Sequence, residues 1–257
     1  MPEGSSGRQT VLVTRPREQA AELIELITSR GQDAVPFPVI EIVARERAEI
    51  AGDVARSGDA DLTIYISTNA VRYGLPYATG RIAAIGPSTA AALEAAGQPV
   101  DIVPQNGFDS EHLLAEPELR SMSGRRVRIV RGNGGRETLG STLRERGAVV
   151  DYLEVYARRI PAYPGDELEA LEARWLSGEI DCVVVMSVQS LENLEHLLPA
   201  ACRRALPRTV LVTPAARVLK EVNSGCPECP VVLADGPGTV EIADAIQSAV
   251  NSRPSGH

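Results

Sequence analysis

The chain has 257 residues, and its 26 basic and 34 acidic side chains give a formal net charge of −8. Hydrophobic residues make up 44% and aromatic residues only 4%, a balance typical of a globular protein with one large or two ordinary domains. These values exclude a generic nucleic-acid binder, which needs a basic surface and aromatic rings for stacking. No apolar run approaches the roughly 20 residues that cross a bilayer, so no membrane segment is expected.

The N-terminal segment and the cysteine usage both favour a cytoplasmic protein. Residues 1–10 lack the apolar stretch of a secretory signal. We expect Cys182, Cys202, Cys226 and Cys229 to be reduced thiols. Cys226 and Cys229 form a CxxC pair, but no second pair stands at a zinc-binding spacing, and no metal site is predicted.

Short apolar runs alternate with stretches of helical period along the chain. Residues 10–14 have the composition of a buried strand, residues 17–30 repeat apolar side chains at helical spacing, and residues 32–43 are expected to be extended. Further strands are predicted at 61–66, 81–86, 126–131, 148–157, 181–187, 209–213 and 231–234, and further helices at 68–75, 88–96, 136–146, 189–198, 215–223 and 239–250. This alternation predicts an α/β fold with parallel sheets covered by helices on both faces.

The alternation contains an internal duplication. The segment from Asp61 to Ser67 matches that from Asp181 to Ser187, since each begins with Asp and ends in a Ser that opens a helix. Further matches join residues 83–97 with 210–225, 108–113 with 238–243, and 11–31 with 128–147. Four matching units predict two similar parallel-sheet lobes of flavodoxin or Rossmann type.

The order of the matches places one lobe inside the other along the chain. Lobe 1 is expected to be discontinuous, lobe 2 continuous, and two extended segments are expected to cross between them as a two-stranded linker. The predicted bounds are 8–36 and 161–250 for lobe 1, 44–151 for lobe 2, 37–43 and 152–160 for the linker, and 1–7 and 251–257 for disordered tails.

Polar residues gather where the predicted strands end. Ligands of parallel sheets bind at these carboxyl ends, where helix N-termini point, and we expect a cleft lined by both lobes. The candidate substrate-binding residues are Thr14, Arg15, Ser67, Thr68, Asn69, Ser88, Thr89, Arg131, Gly132, Asn133, Gly134, Ser187, Val188 and Thr213. Each one can also be explained as a simple helix cap or turn residue. Backbone N–H groups at helix N-termini bind anions, so the net charge of −8 does not argue against a polyanionic ligand.

Few residues indicate catalytic chemistry. The chain has no P-loop, GxSxG or HExxH motif, and the Gly-rich residues 131–137 do not fit GxGxxG. Lys220 is the only lysine and lies in a predicted helix, so a reaction without a cofactor is favoured. Tyr156 is the candidate catalytic residue, because a phenol can donate a hydrogen bond to a leaving hydroxyl or accept one. The alternative is a half-buried tyrosine whose hydroxyl is satisfied by the backbone.

The motifs VLVTRP, ISTNAV, IGPSTAAAL, FDSEHLL, GRRVRIVRGNGGRETL and VYARR, in this order and spacing, resemble uroporphyrinogen-III synthases. The resemblance covers about residues 9–249. It implies a cofactor-free hydro-lyase of heme biosynthesis that cyclises hydroxymethylbilane, with loss of water and inversion of the last pyrrole ring, ring D. The proposed family route passes through an azafulvene cation and a spiro intermediate. We expect a monomer, with no nucleic acid or membrane as partner.

The resemblance also implies roles for single residues. Ser67, Thr89, Tyr156 and Ser187 match positions that line the family's cleft, and Tyr156 matches the tyrosine proposed to assist loss of the hydroxyl. Ala216 departs from the pattern, since the second lobe's motif usually carries a hydroxyl there. That departure motivates an alternative function, a catalytically impaired synthase-like module that serves as a tetrapyrrole-binding or regulatory domain.

Overall fold

A computed structural model describes residues 8–251 of the chain. The tails predicted at 1–7 and 251–257 lie outside the described residues, apart from Asn251. Within the described range the chain forms two compact units: unit 1 takes the residues up to Glu41 and from Arg159 onward, and unit 2 takes Ile42–Arg158. No helix within residues 8–251 is long and apolar enough to span a bilayer. The expected cytoplasmic location stays a prediction.

Strands and helices alternate through the described residues. In chain order the strands are β1 (Thr10–Val13), β2 (Asp33–Pro36), β3 (Glu41–Ala44), β4 (Leu62–Tyr65), β5 (Arg81–Ala84), β6 (Arg126–Gly132), β7 (Val149–Arg159), β8 (Ile180–Val184), β9 (Val210–Thr213) and β10 (Val231–Leu233). The helices are α1 (Arg17–Ser29), α2 (Arg47–Ser57), α3 (Thr68–Gly74), α4 (Pro87–Ala95), α5 (Ser110–Ala115), α6 (Thr138–Glu145), α7 (Gly165–Leu176), α8 (Val188–Leu197), α9 (Ala200–Ala205), α10 (Ala216–Gly225) and α11 (Thr239–Asn251).

Unit 1 is built on a five-stranded sheet in the order β2-β1-β8-β9-β10. All four neighbouring pairs are parallel, and the order by chain rank is that of a flavodoxin-like doubly wound fold. Leu23 and Ile27 of α1 pack with α11 on one face, while Trp175 of α7 and Leu194 of α8 pack on the other. The sheet is therefore covered on both faces, as its continuous apolar strands require.

Unit 2 is built on a sheet in the order β3-β7-β6-β4-β5, in which β7, β6, β4 and β5 pair in parallel. Ile102 adds an isolated parallel bridge to Ala83 beside β5. Leu113 of α5 and Leu143 of α6 pack on one face, and helices α2, α3 and α4 cover the other. This unit again buries both faces of its sheet.

The two sheets match strand by strand. Strands β7, β6, β4 and β5 of unit 2 take the places of β2, β1, β8 and β9 of unit 1, and the Ile102 bridge takes the place of β10. The predicted class, two similar parallel-sheet α/β lobes, is confirmed. The chain order differs, because β4, which fills the position of β8, precedes β6 and β7 in unit 2, and the edge strand β3 has no counterpart in unit 1.

The predicted linker segments lie in or beside these sheets. Residues 152–159 continue β7, and β3 lies next to β7 at the edge of the unit 2 sheet. Phe37 and Val39 are buried in the core of unit 1. The linker and the lobe boundaries stay predictions.

The expectation of four reduced thiols is wrong for one pair. Cys226 and Cys229 form a disulfide, whereas Cys182 and Cys202 are buried and form no disulfide within residues 8–251. Cys226 directly follows α10 as its C-terminal cap residue, and the Cys229 N–H donates to the Cys226 carbonyl at 3.0 Å. This tight turn holds the two Cα atoms 5.5 Å apart, a spacing at which cysteines bridge without backbone movement.

Candidate functional site

The strand order of unit 2 reverses between β4 and β6, and this switch point is where open α/β sheets bind ligands. Ser67 follows β4 and caps α3, since its hydroxyl accepts the Ala70 N–H at 3.0 Å. Gly132 ends β6 and begins the Gly-rich loop. The predicted site residues at these two strand ends are therefore neighbours in the sheet.

Tyr156 reaches the same switch point from β7. Its hydroxyl lies 3.2 Å from the Ser67 hydroxyl, and its ring packs in the core of unit 2 with 2% of the residue exposed. A Cβ on Gly132 would lie 2.4 Å from the Tyr156 ring, so only glycine admits the ring at this position. The tyrosine is thus a buried group whose hydroxyl is engaged by a side chain, not by the backbone.

Several polar groups of the Gly-rich loop form hydrogen bonds with residues of β7. The Asn133 N–H donates to the Tyr156 carbonyl at 2.9 Å, and the Asn133 Oδ1 accepts the Arg158 N–H at 2.8 Å. The Gly134 N–H donates to the Glu154 carboxylate at 3.1 Å. These contacts fix the loop on β7 and leave the loop fewer backbone donors for a ligand.

Arg131 is also held internally. Its guanidinium lies 3.2 Å from the Glu137 carboxylate and 4.5 Å from the centre of the Tyr152 ring. The neighbouring Tyr152 hydroxyl, together with Arg131, lowers the pKa of the Glu137 carboxyl. Arg131 therefore ties β6 to β7 and to the start of α6, and its predicted role in substrate binding stays a prediction.

The start of α4 is a helix N-terminus of unit 2 without a side-chain cap. Its cap residue Gly86 supplies no side-chain hydrogen bond to the first turn. Ser88 is exposed there, whereas Thr89 is buried, and Thr68 at the start of α3 is exposed. Uncapped N–H groups of a first turn are donors for an anion.

In unit 1 the switch point lies between β1 and β8. The Thr14 hydroxyl donates to the Val184 carbonyl at 2.6 Å, which joins the two strand ends. Arg15 is 9% exposed; its Nη2 donates to the Pro237 carbonyl at 2.8 Å and its Nε to the Met186 sulfur at 3.4 Å. Burial lowers the pKa of Arg15. Arg15 forms no ion pair with a carboxylate of residues 8–251, and the nearby charge of Glu22 opposes the effect of burial by raising the pKa of Arg15.

Ser187 repeats the capping role of Ser67. Its hydroxyl accepts the Ser190 N–H at 3.1 Å and lies 2.9 Å from the Ser190 hydroxyl, and Val188 begins α8. The other predicted hydroxyl of unit 1, Thr213, is fully buried and accepts the Ala215 N–H at 3.2 Å. Ala215 caps α10 without a side-chain bond, so this helix N-terminus carries no hydroxyl of its own.

Comparison with known proteins decides the family. A family model described as uroporphyrinogen-III synthase HemD matches residues 21–225. The chain belongs to the uroporphyrinogen-III synthase family. It is 37% identical over 200 residues to the uroporphyrinogen-III synthase of Escherichia coli K12, covering 74% of this chain and 80% of that protein. It is 38% identical over 201 residues to the Salmonella typhimurium enzyme, with the same coverage of both chains.

Solved structures agree in fold. A mutant uroporphyrinogen III synthase of Thermus thermophilus matches 95% of this chain and all of its own, with a TM-score of 0.59 and 21% identity. The uroporphyrinogen-III synthetase of Helicobacter pylori matches 96% of this chain and all of its own, with a TM-score of 0.63 and 13% identity. Membership of this family makes the chain a lyase of tetrapyrrole biosynthesis that acts on a small tetrapyrrole, and it favours the synthase over the regulatory alternative.

The structure brings some predicted site residues of this family member together and leaves others apart. Ser67, Gly132, Asn133 and Tyr156 meet at the switch point of unit 2. Thr14 and Arg15 meet the end of β8 in unit 1. The sequence patterns missed Met186, Pro237, Glu137, Glu154 and Tyr152. These residues hold the site through contacts that span strands, and no local spacing signals them.

Proposed function

We propose that the chain cyclises hydroxymethylbilane to uroporphyrinogen III, with loss of water and inversion of the last pyrrole ring. The pair formed by the Tyr156 and Ser67 hydroxyls at a strand-order switch point carries the proposal. It supplies a proton donor at the position where α/β sheets bind ligands. The finer assignments, Tyr156 as the acid and the strand-end residues as the binding groups, belong to the same proposal.

The chemical step is a dehydration with carbon–carbon bond formation. Tyr156 gives its phenol proton to the hydroxymethyl oxygen, and the carbon–oxygen bond breaks. Water departs, and the carbon that carried it becomes part of an azafulvenium cation. A substituted carbon of the last pyrrole ring attacks this cation to form the spiro intermediate, and rearrangement inverts that ring. The proton lost on restoring the aromatic pyrrole returns to the tyrosinate. The sum is substrate to product plus water, with no electrons exchanged, so the reaction requires no redox cofactor.

The carboxylates of the substrate match the donors at the strand ends. In unit 2 these are the uncapped first turn of α4, with Ser88 exposed, and the start of α3. In unit 1 they are Arg15 and the first turns of α8 and α10. Neutral N–H donors and one buried cation suit a polyanion that a chain of net charge −8 would repel at long range.

Resolution of the product isomers tests the function. Unassisted bilane closes to the symmetric type I isomer, so freshly generated hydroxymethylbilane is incubated with purified protein and the oxidised products are separated. We expect type III isomer above the spontaneous background. Only type I with folded protein would overturn the function.

The matched variants Tyr156→Phe and Tyr73→Phe test whether Tyr156 is the general acid. The two rings lie 6.0 Å apart, and of the two hydroxyls only that of Tyr156 bonds Ser67. We expect Tyr156→Phe to lower kcat by about a hundredfold, the lower end of what general acids supply, and Tyr73→Phe to leave kcat unchanged. Equal kcat values for the two variants would remove Tyr156 from the chemistry.

A further inference from the structure

We infer that Ser67 is a positioning residue, which donates its hydroxyl proton to the Tyr156 phenol oxygen and so supports that phenol as it loses its own proton. This inference rests on the proposed function, because it assumes that Tyr156 is the acid. It assigns the Ser67 hydroxyl to the tyrosine, whereas the sequence pattern predicts a substrate contact for Ser67.

Loss of the phenol proton sets the direction of the hydrogen bond between the two hydroxyls. A serine hydroxyl has one proton and two acceptor positions. The Ala70 N–H fills one acceptor position of Ser67 at 3.0 Å, and the Tyr156 hydroxyl lies 3.2 Å away. When Tyr156 gives its proton to the leaving hydroxyl, the remaining link between the two oxygens is Ser67 donating to the phenolate. The cap bond from Ala70 fixes the serine oxygen in place for this role.

Burial makes that single bond important. Tyr156 is 2% exposed, and Ser67 is the one hydrogen-bond partner of the phenol oxygen among residues 8–251. A phenolate that forms away from bulk water depends on the donors already fixed around it. The ring packs in one core cluster with Val130 of β6 and Ala70 of α3, and Gly132 lies close to its Cε2 and Cζ atoms.

The duplicated unit supplies a natural comparison. Ser187 caps α8 as Ser67 caps α3, but its hydroxyl turns to Ser190. Val13 pairs with Pro36 in unit 1 as Val130 pairs with Leu153 in unit 2, and three residues beyond these partners stand Val39 and Tyr156. Unit 1 therefore keeps the capping serine without a phenol beside it. Capping accounts for a serine in both units, and the phenol contact is added only at Ser67.

Four variants test the inference in steady-state kinetics with the full chain. Ser67→Gly removes the hydroxyl but keeps a good helix cap, and Ser67→Thr keeps both. Asp109→Gly removes a comparable cap, since the Asp109 carboxylate accepts the His112 N–H at the start of α5, which packs on the opposite face of the sheet from α3. The double variant Ser67→Gly with Tyr156→Phe completes a cycle with the single changes.

We expect Ser67→Gly to lower kcat about tenfold, the rate factor of one hydrogen bond, with KM within about twofold. Ser67→Thr should restore kcat, and Asp109→Gly should leave kcat and KM unchanged. In the Tyr156→Phe background, Ser67→Gly should change kcat no further, because its partner is gone.

Other results would overturn the inference. A wild-type kcat for Ser67→Gly beside a slow Tyr156→Phe would refute the role of Ser67 and leave the acid role of Tyr156 standing. If the kcat losses of the two single variants multiply in the double variant, or if Ser67→Gly changes only KM, Ser67 contacts the substrate directly. A wild-type rate for Tyr156→Phe would refute the acid role itself and the inference with it.

Discussion

Gly132 lies opposite Tyr156 across the β6–β7 pairing, and the tyrosine ring fills the space that a side chain at Gly132 would occupy. A Cβ there would lie 2.4 Å from Cε2 and 2.6 Å from Cζ of the ring. Gly132→Ala must therefore displace the ring and separate the Tyr156 hydroxyl from Ser67. We expect kcat to fall to about the level of Tyr156→Phe, with about 1–3 kcal/mol of overpacking in urea unfolding. Gly165→Ala at the start of α7, where a Cβ meets nothing within 4 Å, is the control for glycine replacement as such. Normal turnover of Gly132→Ala would contradict the geometry.

Arg15 is a buried cation that forms no ion pair with a carboxylate of residues 8–251, although the charge of Glu22 acts on it, and the proposed function expects a carboxylate of the substrate to pair with it. We expect Arg15→Gln to raise KM by roughly tenfold or more, because a charge-assisted hydrogen bond is lost, with a smaller change in kcat. Arg30→Gln is the control in the same unit, since Arg30 is paired with Asp244. Initial-rate kinetics over a range of substrate would decide, and an unchanged KM for Arg15→Gln would exclude Arg15 from binding.

Ala216 is exposed at the first position of α10, where the family pattern carries a hydroxyl. Ala216→Thr would add a donor at a helix N-terminus that has no side-chain cap. We expect a threefold to tenfold lower KM, about the worth of one exposed hydrogen bond. The same substitution at Ala205, the last residue of α9, is the control. An unchanged KM would mean that the backbone N–H groups of α10 suffice.

Arg128 is the largest fully buried side chain of the described residues. It forms hydrogen bonds with two separate segments of the chain, at Ser57 and Gly58 at the end of α2 and at Tyr77. Its guanidinium donates to the Tyr77 carbonyl at 3.1 Å, to the Ser57 hydroxyl at 3.0 Å and to the Gly58 carbonyl. Arg128→Met would remove the donor from these three partly buried acceptors and lower the free energy of unfolding by about 2–4 kcal/mol. Arg126→Met, an exposed change on the same strand, should cost less than about 1 kcal/mol in the same urea titration. Equal costs for the two variants would refute a special role for Arg128.

The disulfide predicts how many thiols can be titrated with and without reductant. Without reductant, the unfolded chain should expose two titratable thiols, and after reduction it should expose four, because Cys226 and Cys229 are bridged. In the folded protein Cys202 should resist alkylation at pH 8, since burial raises the pKa of its thiol to about 11. The thiolate, the reactive form, is therefore scarce at that pH. Four thiols without reductant would contradict the disulfide.

The fold could be predicted from local patterns because most elements carry their own signal. Helix α1 repeats apolar residues at helical spacing and ends before Gly31, whose φ of 84° suits a helix C-terminus. Helix α2 gave no such signal, since Ile50 is its only fully buried residue. Helix α7 buries only Leu171 and Trp175 among many charged positions, and its pattern was also too weak to assign.

The site was less predictable, because its decisive contacts join distant strands. Tyr156 could be singled out as a candidate, but its burial and its bond to Ser67 depend on the β6–β7 register, which shifts between Arg131 and Gly132. The internal use of the Asn133 and Gly134 N–H groups follows from the same register. Loop composition alone identified a donor-rich segment and could not show which donors were already engaged.

The place of β1 in unit 1 has a consequence for synthesis on the ribosome. This strand lies between β2 and β8, and the Thr10 N–H donates to a carboxylate 171 residues further along the chain. Unit 2, Ile42–Arg158, leaves the ribosome whole before β8 leaves it. Until then β1 and β2 form at most a two-stranded parallel sheet, which is marginal in water. The nascent chain therefore completes its second unit first, and closure of the first, with its long-range pairing, is the slow and aggregation-exposed step.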